Sequence, residues 1–193
     1  MLHLKLPTDP RWVNLVEKSI EEILVDHAYC EQKAASTCIS LIVQYSDKQL
    51  LVDTLTPIVA EEWAHFERVI EQLKKRGLGL SKMRKDEYVN QLLQHIRKGV
   101  SRDEQMIDKL LVSALIEARS CERFKLLWQN LPDAELQKFY YDLMVSEASH
   151  YTTFIELARH YRPRNEVDTR WNEFLRIEKQ ILESLTPRGN RIH

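Results

Sequence analysis

Two pairs of residues in this chain set a carboxylate beside an imidazole at helical spacing: Glu62 with His65, and Glu147 with His150. Three residues apart on an α-helix, the two side chains share one face, about one turn apart. A carboxylate and a neutral imidazole placed in this way can ligate one metal ion together. At nearly equal distances upstream of the two pairs stand two more glutamates, Glu31 and Glu117. Two Glu helices and two Glu-x-x-His helices are the ligand plan of a di-metal carboxylate centre in a four-helix bundle. The six candidate ligands are therefore Glu31, Glu62, His65, Glu117, Glu147 and His150.

A single Glu-x-x-His match in a Glu-rich chain carries little weight. What strengthens it is the position of all six residues inside the apolar stripes of long helical patterns. Four ionised carboxylates in one interior repel each other, and each costs several kcal/mol to desolvate unless it is paired. Two divalent cations balance four carboxylates, and neutral imidazoles complete the shell. Oxygen-rich ligation with one imidazole per metal suits iron or manganese better than zinc in a closed thiolate site. No catalytic residue beyond the metal ligands is singled out. His27, one turn before Glu31, reads as a packed core histidine in preference to a group supporting the site. Glu61 and Glu122 lie on other faces of their helices, and Cys121 reads as a small core residue.

The elements that position these residues follow from periodicity. A short helix passes through Trp12, Leu15 and Val16, and a long one covers about 19–45. Its stripe is Ile20, Leu24, His27, Glu31, Ala34, Cys38, Leu41 and Tyr45. A second long helix covers about 48–76 and ends in Lys74-Lys75-Arg76-Gly77, basic residues then glycine. Residues 77–101 form a crossover carrying a shorter amphipathic helix over 86–98. Ser101-Arg102-Asp103-Glu104 is a capping-box start for the third long helix, which contains Glu117. A turn at Leu131-Pro132-Asp133 leads to the fourth, about 133–161, and a last helix spans about 166–185. The tail from Thr186 reads as irregular. The expectation is an all-α, ferritin-like four-helix bundle with additional short helices in the crossover and at the termini, one di-metal domain over 1–193.

Composition agrees with that class. Only 4 Gly and 6 Pro occur in 193 residues, as an all-α protein requires. The formal net charge of −1 announces no nucleic-acid or membrane partner for the chain as a whole. No apolar run is long enough to span a bilayer, and the first residues lack a signal-peptide plan. Cys30, Cys38 and Cys121 show no C-x-x-C spacing, so a reduced, cytoplasmic protein is expected. Charge is nonetheless uneven. Between Lys74 and Arg102 nine basic residues face two acidic ones, Asp86 and Glu87. Taken alone, such a segment is as well explained by a solvated loop as by a polyanion-binding surface.

Three stretches resemble a known family. Asp26-His27-Ala28-Tyr29-Cys30-Glu31-Gln32-Lys33-Ala34-Ala35-Ser36, Ala114-Leu115-Ile116-Glu117-Ala118-Arg119-Ser120-Cys121-Glu122-Arg123-Phe124 and Ser146-Glu147-Ala148-Ser149-His150-Tyr151 are similar to the tRNA 2-methylthio-N6-isopentenyladenosine hydroxylases, the MiaE family. The resemblance extends over nearly the whole chain. It departs at Trp63-Ala64, where the family often has Leu-Glu; the ligands survive that difference, whereas the lining of the pocket is not secured by it. The resemblance implies a ferritin-like, non-haem di-iron monooxygenase. Such an enzyme uses O2 and external electrons to hydroxylate the isopentenyl group of the hypermodified adenosine beside the tRNA anticodon. It carries the ligand roles onto the same six residues. It also makes Lys82, Arg84, Lys85, Arg97, Lys98 and Arg102 candidates for holding the anticodon arm by its phosphates. The chain has no Gly-rich dinucleotide fingerprint and no cysteine set for an iron–sulfur cluster. Electrons are therefore expected from a reductase or ferredoxin-like partner. Two other readings stand beside this one: a ferritin-like or rubrerythrin-like protein handling iron or peroxide without tRNA, and a helical interaction module without metal.

Overall fold

A computed structural model describes residues 2–83, 85–186 and 189–192. Among these residues there are seven helices and no strand. By contacts the described residues divide into two compact units: residues 14–83 and 85 with 189–192, and residues 2–13 with 86–186.

The first of these units is a helix pair. After the short α1 (Trp12–Glu17), α2 spans Ile20–Gln44 and α3 spans Gln49–Lys75, and the two long helices pack on each other. The connection between them is only residues 45–48, which returns the chain alongside itself. Buried positions on α2 include Leu24, His27, Ala28, Glu31, Ala35, Cys38 and Leu41. On α3 they include Leu51, Leu55, Ile58, Glu62, His65, Val69 and Leu73. Both sets follow the 3-4 alternation of a helix with one buried stripe, and both contain candidate ligands in mid-stripe. α3 continues through Pro57 and ends in a left-handed Gly77 (φ 69°), whose neighbour Leu78 donates back to the Leu73 carbonyl. The tail beyond α7 is irregular, as expected, but it is tied down. Asn190 bonds Glu22, Arg191 pairs with Asp26, and the Ile192 N–H donates to Asp26.

In the second unit α4 spans Glu87–Leu93, α5 Arg102–Asn130, α6 Ala134–Tyr161 and α7 Arg164–Ser184. α5 and α6 form the principal pair, while α4 and α7 pack beside α5. The capping box appears as expected: Ser101 Oγ accepts from the Glu104 N–H, and the Glu104 carboxylate accepts from the Ser101 N–H. Asp133 caps α6 through the N–H groups of Glu135 and Leu136. The crossover helix is shorter than the 86–98 expected from periodicity. After Leu93 the backbone tightens into short-range turns. Arg97 then gives its N–H, Nε and Nη2 to the buried Asp108 of α5. That tertiary bond and the left-handed Gly99 (φ 71°) outcompete continuation of the helix.

No helix among the described residues is long and apolar enough to cross a membrane.

Candidate metal centre

In the unit built on α2 and α3, Glu31, Glu62 and His65 are buried, with 4%, 0% and 6% of their surface exposed. Each can offer a ligand atom within 4.8 Å of the others. His65 Nδ1 lies 3.6 Å from Glu62 Oε2 and 3.7 Å from Glu31 Oε2. These separations exceed a good hydrogen bond and match donors arranged around one ion bound at about 2.1 Å. In the unit built on α5 and α6, Glu117, Glu147 and His150 form the matching triad, also buried and also within 4.8 Å. Here His150 Nδ1 lies 3.6 Å from Glu147 Oε2. The sequence repeat is thus a geometric repeat, and both Glu-x-x-His pairs turn Nδ1 toward the carboxylate one turn away.

The electrostatics of the first triad are those of a site prepared for a cation. Burial pushes the Glu31 carboxyl upward, but His27 and His65 outweigh it and hold Glu31 well below the usual carboxylate range. Burial alone lowers His65, yet the carboxylates of Glu31 and Glu62 raise it to about 9. The donor set fits a divalent ion: two carboxylates and one imidazole in each triad, oxygen-rich and without thiolate. Cys121 takes no part, since burial raises its thiol to about 11 and Sγ points to the Met144 carbonyl.

One expectation requires revision. His27 is more than a packed core residue: fully buried, its Nε2 lies 2.5 Å from Glu31 Oε1. The signal was its i,i+4 spacing to Glu31, the arrangement that lets a histidine support a carboxylate one turn on. Arg97 is held by Asp108 and also faces Glu104, so its guanidinium serves the crossover–α5 junction. Of the other basic candidates Lys82, Lys85, Lys98 and Arg102 are exposed, and Arg84 lies outside the described residues. Glu61 is exposed, as expected. Glu122 faces away from the triad and binds Thr8 and Arg119. Trp63 and Ala64, where the sequence departs from the family pattern, are both exposed while Glu62 and His65 are buried.

An all-α chain with two buried Glu, Glu-x-x-His triads defines a class, the ferritin-like carboxylate proteins. A solved structure described as Protein 43 with aldehyde deformylating oxygenase activity from Synechococcus shares this fold. It is 36% identical with a TM-score of 0.93, and the match covers 98% of this chain and 94% of that one. More narrowly, the chain belongs to the tRNA-(MS2IO6A)-hydroxylase (MiaE) family, whose model matches residues 1–193. Two similar proteins are each named tRNA 2-(methylsulfanyl)-N(6)-isopentenyladenosine(37) hydroxylase. The one from Pseudomonas putida is 36% identical over 182 residues, covering 94% of this chain and 87% of that protein. The one from Salmonella typhimurium is 27% identical over 230 residues, covering 94% and 84%.

Proposed function

We propose that this chain is an O2-dependent tRNA hydroxylase. Its substrate is the isopentenyl group of 2-methylthio-N6-isopentenyladenosine next to the anticodon. The observation that carries the reading is the pair of buried triads, Glu31/Glu62/His65 and Glu117/Glu147/His150, in a member of the MiaE family. The triads are read as the ligand sets of two iron ions, the four carboxylates neutralising two divalent charges.

The bound metals supply what acid–base side chains lack, an oxidant able to attack an unactivated C–H bond. The balance is one O2, two electrons and two protons: one oxygen atom enters the C–H bond and the other leaves as water. The electrons come from a separate reductase or ferredoxin-like partner. The protein's own residues hold the metals and keep water out; the apolar stripes flanking each ligand, such as Leu55, Ile58 and Val69 on α3, do this. The modified base is splayed from the anticodon loop to reach the centre. Exposed Lys82, Lys85, Lys98 and Arg102, with Arg84, hold the arm by its phosphates.

Nucleoside analysis of tRNA tests this reading. A strain lacking the protein accumulates the unhydroxylated nucleoside, and restoring the chain returns the hydroxylated one. The name of the Synechococcus protein points to a second substrate class, an aldehyde. If tRNA nucleosides are unchanged while the purified, reduced protein consumes aldehyde and O2, that class replaces the nucleoside.

A further inference from the structure

The N-terminal segment belongs to the second unit, and α5 fixes its place there: the Leu6 carbonyl accepts from Arg119, and Thr8 binds Glu122. That tether sets His3 and Lys5 at the rim of a cleft of about 450 Å³ lined by α6 and α7. The floor is apolar and aromatic. Ile155, Trp171 and Leu175 are buried, and the Tyr151 ring stands 5.9 Å from that of Trp171, tilted by 45°. The rim is polar, with His3, Lys5 and Arg164 exposed. A cleft of this size, with an apolar body and a few polar groups at its edge, is the form of a ligand site.

The two acids in the cleft do not make it anionic. Arg159 spans both, with Nη1 2.6 Å from Glu156 and Nη2 2.6 Å from Asp168. Arg164 lies 3.6 Å from Asp168, beyond a good hydrogen bond, and 74% of its side chain is exposed. Lys5, Arg159 and Arg164 therefore outnumber Glu156 and Asp168 by one. Aromatic rings below and cations above suit a nucleotide, its base on the rings and its phosphate at the cations. The cleft begins at Tyr151, the residue after the candidate ligand His150, and follows α6 to Arg159, roughly 12 Å along the axis. Just beyond, Arg162 donates to Ser101 Oγ at 3.4 Å. The cleft thus adjoins the turn that carries Lys98 and Arg102, two of the residues assigned to the anticodon arm.

We propose that this cleft binds a nucleotide of the anticodon arm other than the hydroxylated adenosine, its base against Tyr151 and Trp171 and its phosphate at Lys5 and Arg164. This rests on the tRNA reading and adds to it a contact that positions the RNA along the helix bearing Glu147 and His150.

The test measures binding of the full chain to tRNA bearing the isopentenylated adenosine, across a range of salt. The same tRNA carrying photoreactive thiouridine in its anticodon arm maps the contact. Cross-links are expected at Tyr151 or Trp171, located by mass spectrometry of the digested protein. Tyr151→Leu weakens binding about tenfold and leaves its salt dependence unchanged, because stacking releases no counterions. Tyr151→Phe, which keeps the ring, binds as wild type. Lys5→Glu with Arg164→Glu, both at exposed positions, weakens binding and flattens its salt dependence. The proposal is overturned if wild type binds and hydroxylates tRNA while the double charge reversal binds it equally well, or if cross-links fall only outside the cleft. It is also overturned if Tyr151→Leu loses binding of adenosine monophosphate but not of tRNA, which makes the cleft a site for free nucleotides. A wild type that binds no tRNA overturns the tRNA reading together with this one.

Discussion

The guanidinium of Arg119 on α5 lies 2.5 Å from the carboxylate of Glu178 on α7, and both side chains are fully buried. Arg119 also reaches Glu122, Thr8 and the Leu6 carbonyl, so one cation ties the N-terminal segment to two helices. Removing one partner of a buried pair leaves the other uncompensated, at a cost of about 3–5 kcal/mol. Arg119→Met is therefore expected to lower unfolding stability by roughly that amount. Arg119→Met combined with Glu178→Leu should recover part of the loss. Denaturant titrations of the three proteins decide it, and an additive double variant would contradict the coupling.

Asp108 provides the pH-dependent counterpart. Its carboxylate is fully buried and accepts from both Arg97 and Arg170. Burial pushes it up, but the bonds from Arg170 and Arg97 prevail and hold it below its ordinary 3.8. An acid whose folded value is depressed gives stability that is present above the unfolded value and lost as pH falls through the folded one. Asp108→Asn should thus cost about 2–4 kcal/mol at neutral pH. The gap to wild type should close below pH 3.8. Melting curves across pH check this, and a gap that persists at pH values below the folded one would refute it.

Metal removal should expose the cost of the gathered carboxylates. The chelated protein is expected to melt lower than the iron-loaded one. Glu31→Gln or Glu117→Gln should narrow that difference, because each removes one buried negative charge. An unchanged melting temperature on chelation would mean that the carboxylates are not gathered around bound ions.

The RNA contacts are tested without Arg97, whose reversal would break the Asp108 junction. Replacing Lys82, Lys85 and Lys98 by Glu should weaken tRNA binding and flatten its dependence on salt, since fewer counterions are released. Iron content should stay at the wild-type level. Binding and hydroxylation equal to wild type would move the RNA surface elsewhere.

Much of this was legible in the residues themselves. The long helices came from single apolar stripes of period 3.6, and the capping box at Ser101 and Glu104 marked the start of α5 to the residue. Glu62, His65, Glu147 and His150 stood out because ionisable residues in mid-stripe must answer for their burial. The end of α4 was not legible, because it is decided by Asp108, a residue fifteen positions beyond Leu93. Nor was the Arg119–Glu178 pair, since α5 is buried on more than one face and no single stripe announces what meets its second side. His27 could have been found: its spacing to Glu31 was in view, but periodicity does not distinguish packing from hydrogen bonding.

The most direct measurement is a reaction under isotopically heavy O2. Iron-loaded protein, a chemical or enzymatic reductant and tRNA bearing the isopentenylated adenosine are combined, and the digested nucleosides are analysed by mass spectrometry. The account predicts a hydroxylated nucleoside carrying the heavy oxygen, absent when His65 or His150 is replaced by Ala and retained when the exposed His160, in the last turn of α6 and outside both triads, is. No hydroxylated nucleoside from the iron-loaded wild type, or a product whose oxygen comes from water, would contradict it.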